Sequence, residues 1–277
     1  MTYKLKRLAG YLAGFALFYA PLALLPKLVY YCLYGKWLDM TVHSMCFRIP
    51  LEHLFDGTIL RFSPISVVAI VVLLVITFFW GPIFCGKLCP AGAFTEYLSY
   101  LIPERFKVDW RKHVDIAPIR YGILTGYLLL PFFAGVVACS YCNYYVFDLL
   151  VNFYLHGYFV AFNTSLLLNL LLWLVVLGLF TKGGRGYCNF MCPVGAVQNL
   201  VHCLGSKLGI ARVVQVDKNK CVGCRKCKSS CPMLSIKMEN GKAEPSIHNC
   251  IICGECMYIC PTKAISYRRK CYEKQAD

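Results

Sequence analysis

Between Cys221 and Cys260 the chain writes one cysteine pattern twice. The first copy is Cys221-x2-Cys224-x2-Cys227-x3-Cys231-Pro232 and the second is Cys250-x2-Cys253-x2-Cys256-x3-Cys260-Pro261. Thiolates at this spacing hold paired [4Fe-4S] clusters: three come from one tight loop, the fourth is borrowed from the other copy, and the proline ends the loop. The expected ligand sets are therefore crossed. Cys221, Cys224, Cys227 and Cys260 would surround one cluster, and Cys250, Cys253, Cys256 and Cys231 the other. The chemistry this implies is electron transfer. Cys-x2-Cys pairs also build tetrahedral zinc sites, but zinc needs neither the third cysteine at this spacing nor the terminal proline.

A second repeat lies upstream. Gly81-Pro-Ile-Phe-Cys85-Gly-Lys-Leu-Cys89-Pro90-Ala-Gly92-Ala93 and Gly184-Arg-Gly-Tyr-Cys188-Asn-Phe-Met-Cys192-Pro193-Val-Gly195-Ala196 each follow an apolar run. A parallel repeat related by a pseudo-twofold axis would bring Cys85, Cys89, Cys188 and Cys192 together. A third cluster is expected there. Two alternatives stay open: the Cys-x3-Cys-Pro pair could divide between two clusters, as it does downstream, or the four thiolates could take copper or another soft metal. Cys32 and Cys46 from one repeat, with Cys139 and Cys142 from the other, form a further candidate group. Those four would hold a fourth cluster or a metal, or form disulfides.

Elements of a particular kind must position these thiols. The 277 residues are 58% hydrophobic with a mean hydropathy of +0.55. Runs at 8–25, 64–84, 117–138 and 164–180 are apolar enough to predict helices crossing a hydrocarbon core of about 30 Å. Lys4, Lys6 and Arg7 ahead of the first run also fit a signal peptide, but the run is expected to stay as a span. The predicted fold is thus an α-helical membrane protein. Its domain 1–210 would have four transmembrane helices in two parallel repeats, and its domain 211–277 would be a small cytoplasmic α+β unit with two clusters. Lys4, Lys6 and Arg7, the 2–3 loop with Lys87, Arg105, Lys107, Arg111, Lys112 and Arg120, and Lys182 with Arg185 place both termini on the cytoplasmic side of an inner membrane. The net charge of +15 is not matched by any nucleic-acid recognition motif, so nucleic acid is not an expected partner. Cys142 is followed by Asn143, which removes a Cys-x-x-Cys-His haem attachment.

Through Cys85-x3-Cys89-Pro90, Cys188-x3-Cys192-Pro193 and the paired C-terminal motifs, the chain resembles the NapH, NosR and CcoG type membrane polyferredoxins. The resemblance implies a membrane-bound iron-sulfur subunit that relays electrons between a cytoplasmic ferredoxin domain and either a quinone pool or a partner redox subunit. It implies [4Fe-4S] clusters as cofactors, quinone as a further candidate, and quinol dehydrogenase as a candidate activity of the complex. The alternative it carries is a metal-reducing assembly factor for a metalloenzyme. The cysteines at 32, 46, 139 and 142 depart from the shared pattern of that family.

Overall fold

The computed structural model describes residues 3–18, 23–36, 64–134, 142–156 and 164–269. Helices α1 (Tyr3–Phe18), α2 (Leu24–Tyr34) and α3 (Pro64–Trp80) precede the first Cys-x3-Cys-Pro segment. That segment forms the short α4 (Ile83–Lys87) and then α5 (Pro90–Ser99). The second repeat follows α6 (Ile116–Ala134), α7 (Asn143–His156) and α8 (Thr164–Leu170), which runs on as a π-helix over Leu171–Leu179. Its segment forms α9 (Gly186–Phe190) and α10 (Pro193–Lys207).

The sequence sets these boundaries by local chemistry. Gly81, Gly183 and Gly184 take φ of +72°, +81° and +70°, a left-handed conformation open to glycine at little cost, and so turn the chain out of each apolar helix. Pro90 and Pro193 then start α5 and α10 at the first helical position, where the missing N–H costs nothing. Trp173 and Ala91, fully buried, and Tyr187, at 1% exposure, centre a core that also takes Phe147, Leu177 and Phe190.

The C-terminal unit holds β1 (Arg212–Val216), α11 (Lys226–Ser229), β2 (Ile236–Glu239), β3 (Lys242–Pro245), α12 (Glu255–Ile259) and β4 (Ile265–Arg269). Strands β1 and β4 pair antiparallel with Val214 opposite Tyr267. Strands β2 and β3 form a hairpin whose Asn240 and Gly241 both have positive φ, as a tight primed turn requires. This unit is seated on the helices by polar contacts. Asn189 Nδ2 donates to the Met233 carbonyl at 2.9 Å, and Asn199 Nδ2 donates to those of Ile247 and Cys250 at 2.7 and 2.9 Å. Tyr267 Oη donates to the Trp80 carbonyl at 2.6 Å. At Gly86 the two parts are so close that an added Cβ would collide with the Ile251 carbonyl.

The four expected membrane spans are corrected here. Among the described residues no helix is long and apolar enough to cross a membrane. The run 8–25 is not one continuous helix, since Ala23 takes a left-handed φ of +38° just before α2 starts at Leu24. Helix α3 has 17 residues, about 25 Å at 1.5 Å per residue, before Gly81 turns the chain. Helix α6 has 19 residues but is diluted by Pro118, Arg120, Gly122 and Gly126. The run 164–180 divides into seven α-helical and nine π-helical residues. The predicted four-helix membrane fold and its multi-pass inner-membrane placement fall with this, and the quinone relay loses the bilayer it rested on. Hydropathy had counted apolar residues, while helix length depends on where glycine and proline stop the chain. Four of the charges used for orientation, Arg7, Lys107, Arg120 and Arg185, are buried inside the fold.

Gly86→Ala is expected to loosen the C-terminal unit, with a lower melting temperature and faster hydrogen exchange in β1 and β4. Gly122→Ala, which meets nothing within 4 Å, should hold or slightly raise the melting temperature.

Candidate metal centres

The two upstream repeats have the same backbone. Cys89 lies at φ −72°, ψ 105° and Cys192 at −75°, 108°, each the residue before a helix that starts with proline. Each cysteine N–H reaches back to the carbonyl five residues earlier, Cys89 to Phe84 at 2.9 Å and Cys192 to Tyr187 at 3.2 Å. Each carbonyl then accepts the first helical N–H, from Ala93 and Ala196 at 3.2 and 3.1 Å. One loop geometry thus presents one pair of thiols from each repeat.

The four thiols line a single cavity of about 60 Å³, where roughly 10–15 Å³ would hold a water. Burial pushes the Cys85 thiol well above its usual range, reinforced by Cys89, Cys192 and Cys188, and pushes Cys188 up to about 12. Cys89 is raised as well, against the N–H groups of Gly92 and Ala91, which favour its thiolate. Thiols this buried keep their protons unless a cationic centre replaces them, so binding a metal here must release protons.

The wall of the cavity supplies positive charge. Arg120 and Arg185 both line it and are each 1% exposed. Arg120 Nη1 donates to the His248 carbonyl at 2.9 Å, while its Nε and Nη2 have no partner among the described residues. Burial pulls the Arg120 pKa down, opposed by Cys192, Cys85 and Cys188. Arg185 spends its donors on Glu96 Oε2 at 2.6 Å, the Cys85 carbonyl at 2.8 Å and Tyr11 Oη at 2.8 Å. Equivalent glycines make room for the two guanidinium groups. A Cβ on Gly92 would lie 2.9 Å from Arg185 Nη1, and one on Gly195 would lie 2.7 Å from Arg120 Nη2. Gln198 Nε2 donates to Cys85 Sγ at 3.2 Å. Soft donors, an unpaired buried cation and a sulfur-directed amide together suit an anionic iron-sulfur cluster.

Two further cavities lie in the C-terminal unit. One is lined by Cys231, Cys250, Cys253 and Cys256, the other by Cys221, Cys224, Cys227 and Cys260. The structure therefore brings together the same crossed sets that the spacing predicts. Backbone N–H groups approach equivalent sulfurs, Ser235 on Cys231 at 3.4 Å and Ala264 on Cys260 at 3.3 Å. Burial pushes Cys250 up to about 12 and Cys253 to about 11. Among the described residues no three His, Cys, Asp or Glu side chains converge to hold one metal ion. Each set of four thiols lines a cavity, a donor arrangement that suits a four-iron cube.

Two of the four remaining candidates lie within the described residues. Cys46 and Cys139 lie outside the described residues. Cys32 is exposed on α2, whereas Cys142 is buried and lines the central cavity beside Cys85, Cys89, Cys188 and Cys192. Sequence reasoning missed the contribution of Arg120 and Arg185 to the site and the junction at Glu96. Glu96 is fully buried; Arg7 Nη2 meets its Oε1 at 2.9 Å and Arg185 Nε its Oε2 at 2.6 Å. The available signal was an arginine three residues before Cys188, where the first repeat has Pro82 before Cys85.

Comparison with known proteins agrees with these cavities. Residues 62–109 and 165–211 match a 4Fe-4S binding domain family, and 213–261 match a 4Fe-4S dicluster domain family. The ferredoxin-type protein NapH of Haemophilus influenzae is 28% identical over 67% of this chain and 61% of its own. The methylamine utilization ferredoxin-type protein MauN of Paracoccus denitrificans is 28% identical over 70% of this chain and 64% of its own. The chain is similar to these ferredoxin-type proteins over most of its length. It is an electron-transfer protein with 4Fe-4S binding domains. Its match spans less than two thirds of the length of either relative. A component of an ion-translocating oxidoreductase complex from Methanosarcina acetivorans is 44% identical over 48 residues, 17% of this chain and 18% of its own. No solved structure matches the chain.

Glu96→Gln is expected to destabilise the protein by about 3–5 kcal/mol, because it leaves Arg7 and Arg185 buried without their carboxylate. Asp115→Asn, which removes an exposed pair with Lys237, should change stability by less than about 1 kcal/mol. Denaturant titration of both variants measures the contrast.

Proposed function

We propose that the chain holds three [4Fe-4S] clusters in series and connects the C-terminal unit to a partner redox protein through the central cavity. One observation supports this order most strongly: Met233 and Ile251 line both the central cavity and the cavity of Cys231, Cys250, Cys253 and Cys256. Two side chains are thus the common wall of neighbouring sites. Electron transfer slows steeply with distance, so a thin shared wall is the feature a relay needs.

When bound, each cluster accepts or releases one electron. The protein's part is to fix the sites, exclude water and set the charge around them. Cys85 and Cys89 from one repeat, with Cys188 and Cys192 from the other, would hold the central group, and Arg120 and Arg185 would balance its negative charge. Asn189 holds the Met233 carbonyl and Asn199 the Cys250 carbonyl, which keeps the shared wall in register. A redox partner fits the name of the oxidoreductase complex whose component the ferredoxin segment resembles.

The intact chain, purified anaerobically, should carry about twelve irons, four for each site. Cys85→Ser and Cys188→Ser should each reduce this to about eight, and the double variant should lose no more. Additive losses, or full iron in either single variant, would defeat the shared central site.

A further inference from the structure

The cavity of Cys221, Cys224, Cys227 and Cys260 differs from the other two in its access to solvent. Cys224 is exposed, and Val222 beside it is 66% exposed, whereas Cys231 and Cys253 of the neighbouring cavity are buried. The loop carrying these thiols is also the most cationic stretch of the C-terminal unit. Residues 217–228 contain Lys218, Lys220, Arg225, Lys226 and Lys228 against the single acid Asp217. Exposed Lys263 follows Cys260 on the other motif. Asp217 is already engaged, accepting the Asn219 N–H at 3.0 Å and pairing with Lys220 at 3.5 Å. Glu239 and Glu244 on the β2–β3 hairpin are the other acids of this region, and six cations around the rim outnumber the three acids.

We infer that this rim is a docking surface for an acidic one-electron carrier protein. The inference rests on the proposed relay and identifies its outer terminus. Exposed Val222 supplies the apolar centre of the contact, and Lys218, Arg225, Lys226 and Lys263 supply the charged border, a layout that steers an oppositely charged partner onto the redox edge. The step itself makes and breaks no bond. One electron would leave the reduced carrier, which is oxidised, and reduce the [4Fe-4S] cluster that Cys221, Cys224, Cys227 and Cys260 are proposed to hold; the reverse transfer would use the same contact.

The test uses the full chain purified anaerobically and an acidic flavodoxin as the probe, with binding measured on immobilised protein at low and at moderate salt. Vesicles containing phosphatidylglycerol form a second arm. Iron content and reduction by dithionite, a small reductant that needs no docking surface, report on the relay separately. Lys218→Glu/Lys226→Glu is expected to weaken flavodoxin binding roughly tenfold or more, with iron content and dithionite reduction unchanged. Arg105→Glu, an exposed charge reversal on the helical part, should bind as the wild type does. Wild-type binding should weaken as salt is raised. Flavodoxin binding that is equal in wild type and rim variant, or absent from both, would overturn the inference. So would rim-dependent binding to the vesicles alone. Loss of the dithionite-reducible signal in the wild type would instead count against the relay, and the binding titration would still decide the docking surface.

Discussion

A single buried carboxylate sets the arrangement of this protein. Glu96 on α5 takes both Arg7 from α1 and Arg185 from the second repeat, whose Nη2 and Nε donate to its Oε2 at 3.0 and 2.6 Å. Arg7 continues to Glu255 of the C-terminal unit at 3.3 Å, and Tyr11 bridges Arg185 to the Gly86 carbonyl at 2.6 Å. Isolated charges at this depth would cost several kcal/mol each, so none of these partners can leave without stranding another. The network obliges the N-terminal helix, both repeats and the C-terminal unit to meet at one point. The central cavity lies at that point.

Charge balance then explains the composition of the cavity wall. Burial raises the Cys85, Cys89 and Cys188 thiols, and their conversion to ligands needs compensating positive charge. Arg185 faces the cavity with its charge already shared by Glu96, while Arg120 keeps two donors unpaired. The two cradles at Gly92 and Gly195 follow the internal repeat, but the arginines filling them do not, because Arg120 comes from α6 and Arg185 from the turn before α9. Symmetry thus fixes the thiols and the space, and asymmetry fixes the charge.

The sulfur chemistry was legible in the sequence because it depends on local spacing. Three thiols in one loop and a proline after the fourth leave little freedom, and the crossed sets meet in the structure as that spacing requires. The pairing of Cys85 and Cys89 with Cys188 and Cys192 was legible for the same reason, through a repeated motif. The membrane reading failed because composition does not report helix length: α3 stops at Trp80, and the left-handed Ala23 breaks the run 8–25. It also treated Arg7, Arg120 and Arg185 as loop charges, whereas they are counterions inside the fold. Nothing in a one-dimensional charge count separates the two cases, since both place arginine beside apolar runs. The place of Cys142 on the wall of the central cavity comes from tertiary packing, which spacing along the chain does not report.

The central claim is that three cofactor sites stand in a row with Met233 and Ile251 between the first two. An anomalous-scattering map at the iron edge, from crystals of the anaerobically purified full chain, tests it most directly. The account predicts three separate iron peaks, each enclosed by one of the three cysteine sets, with the Met233 and Ile251 side chains between the central peak and its neighbour. Two peaks confined to the C-terminal unit, or a single ion in place of a cluster among Cys85, Cys89, Cys188 and Cys192, would contradict it.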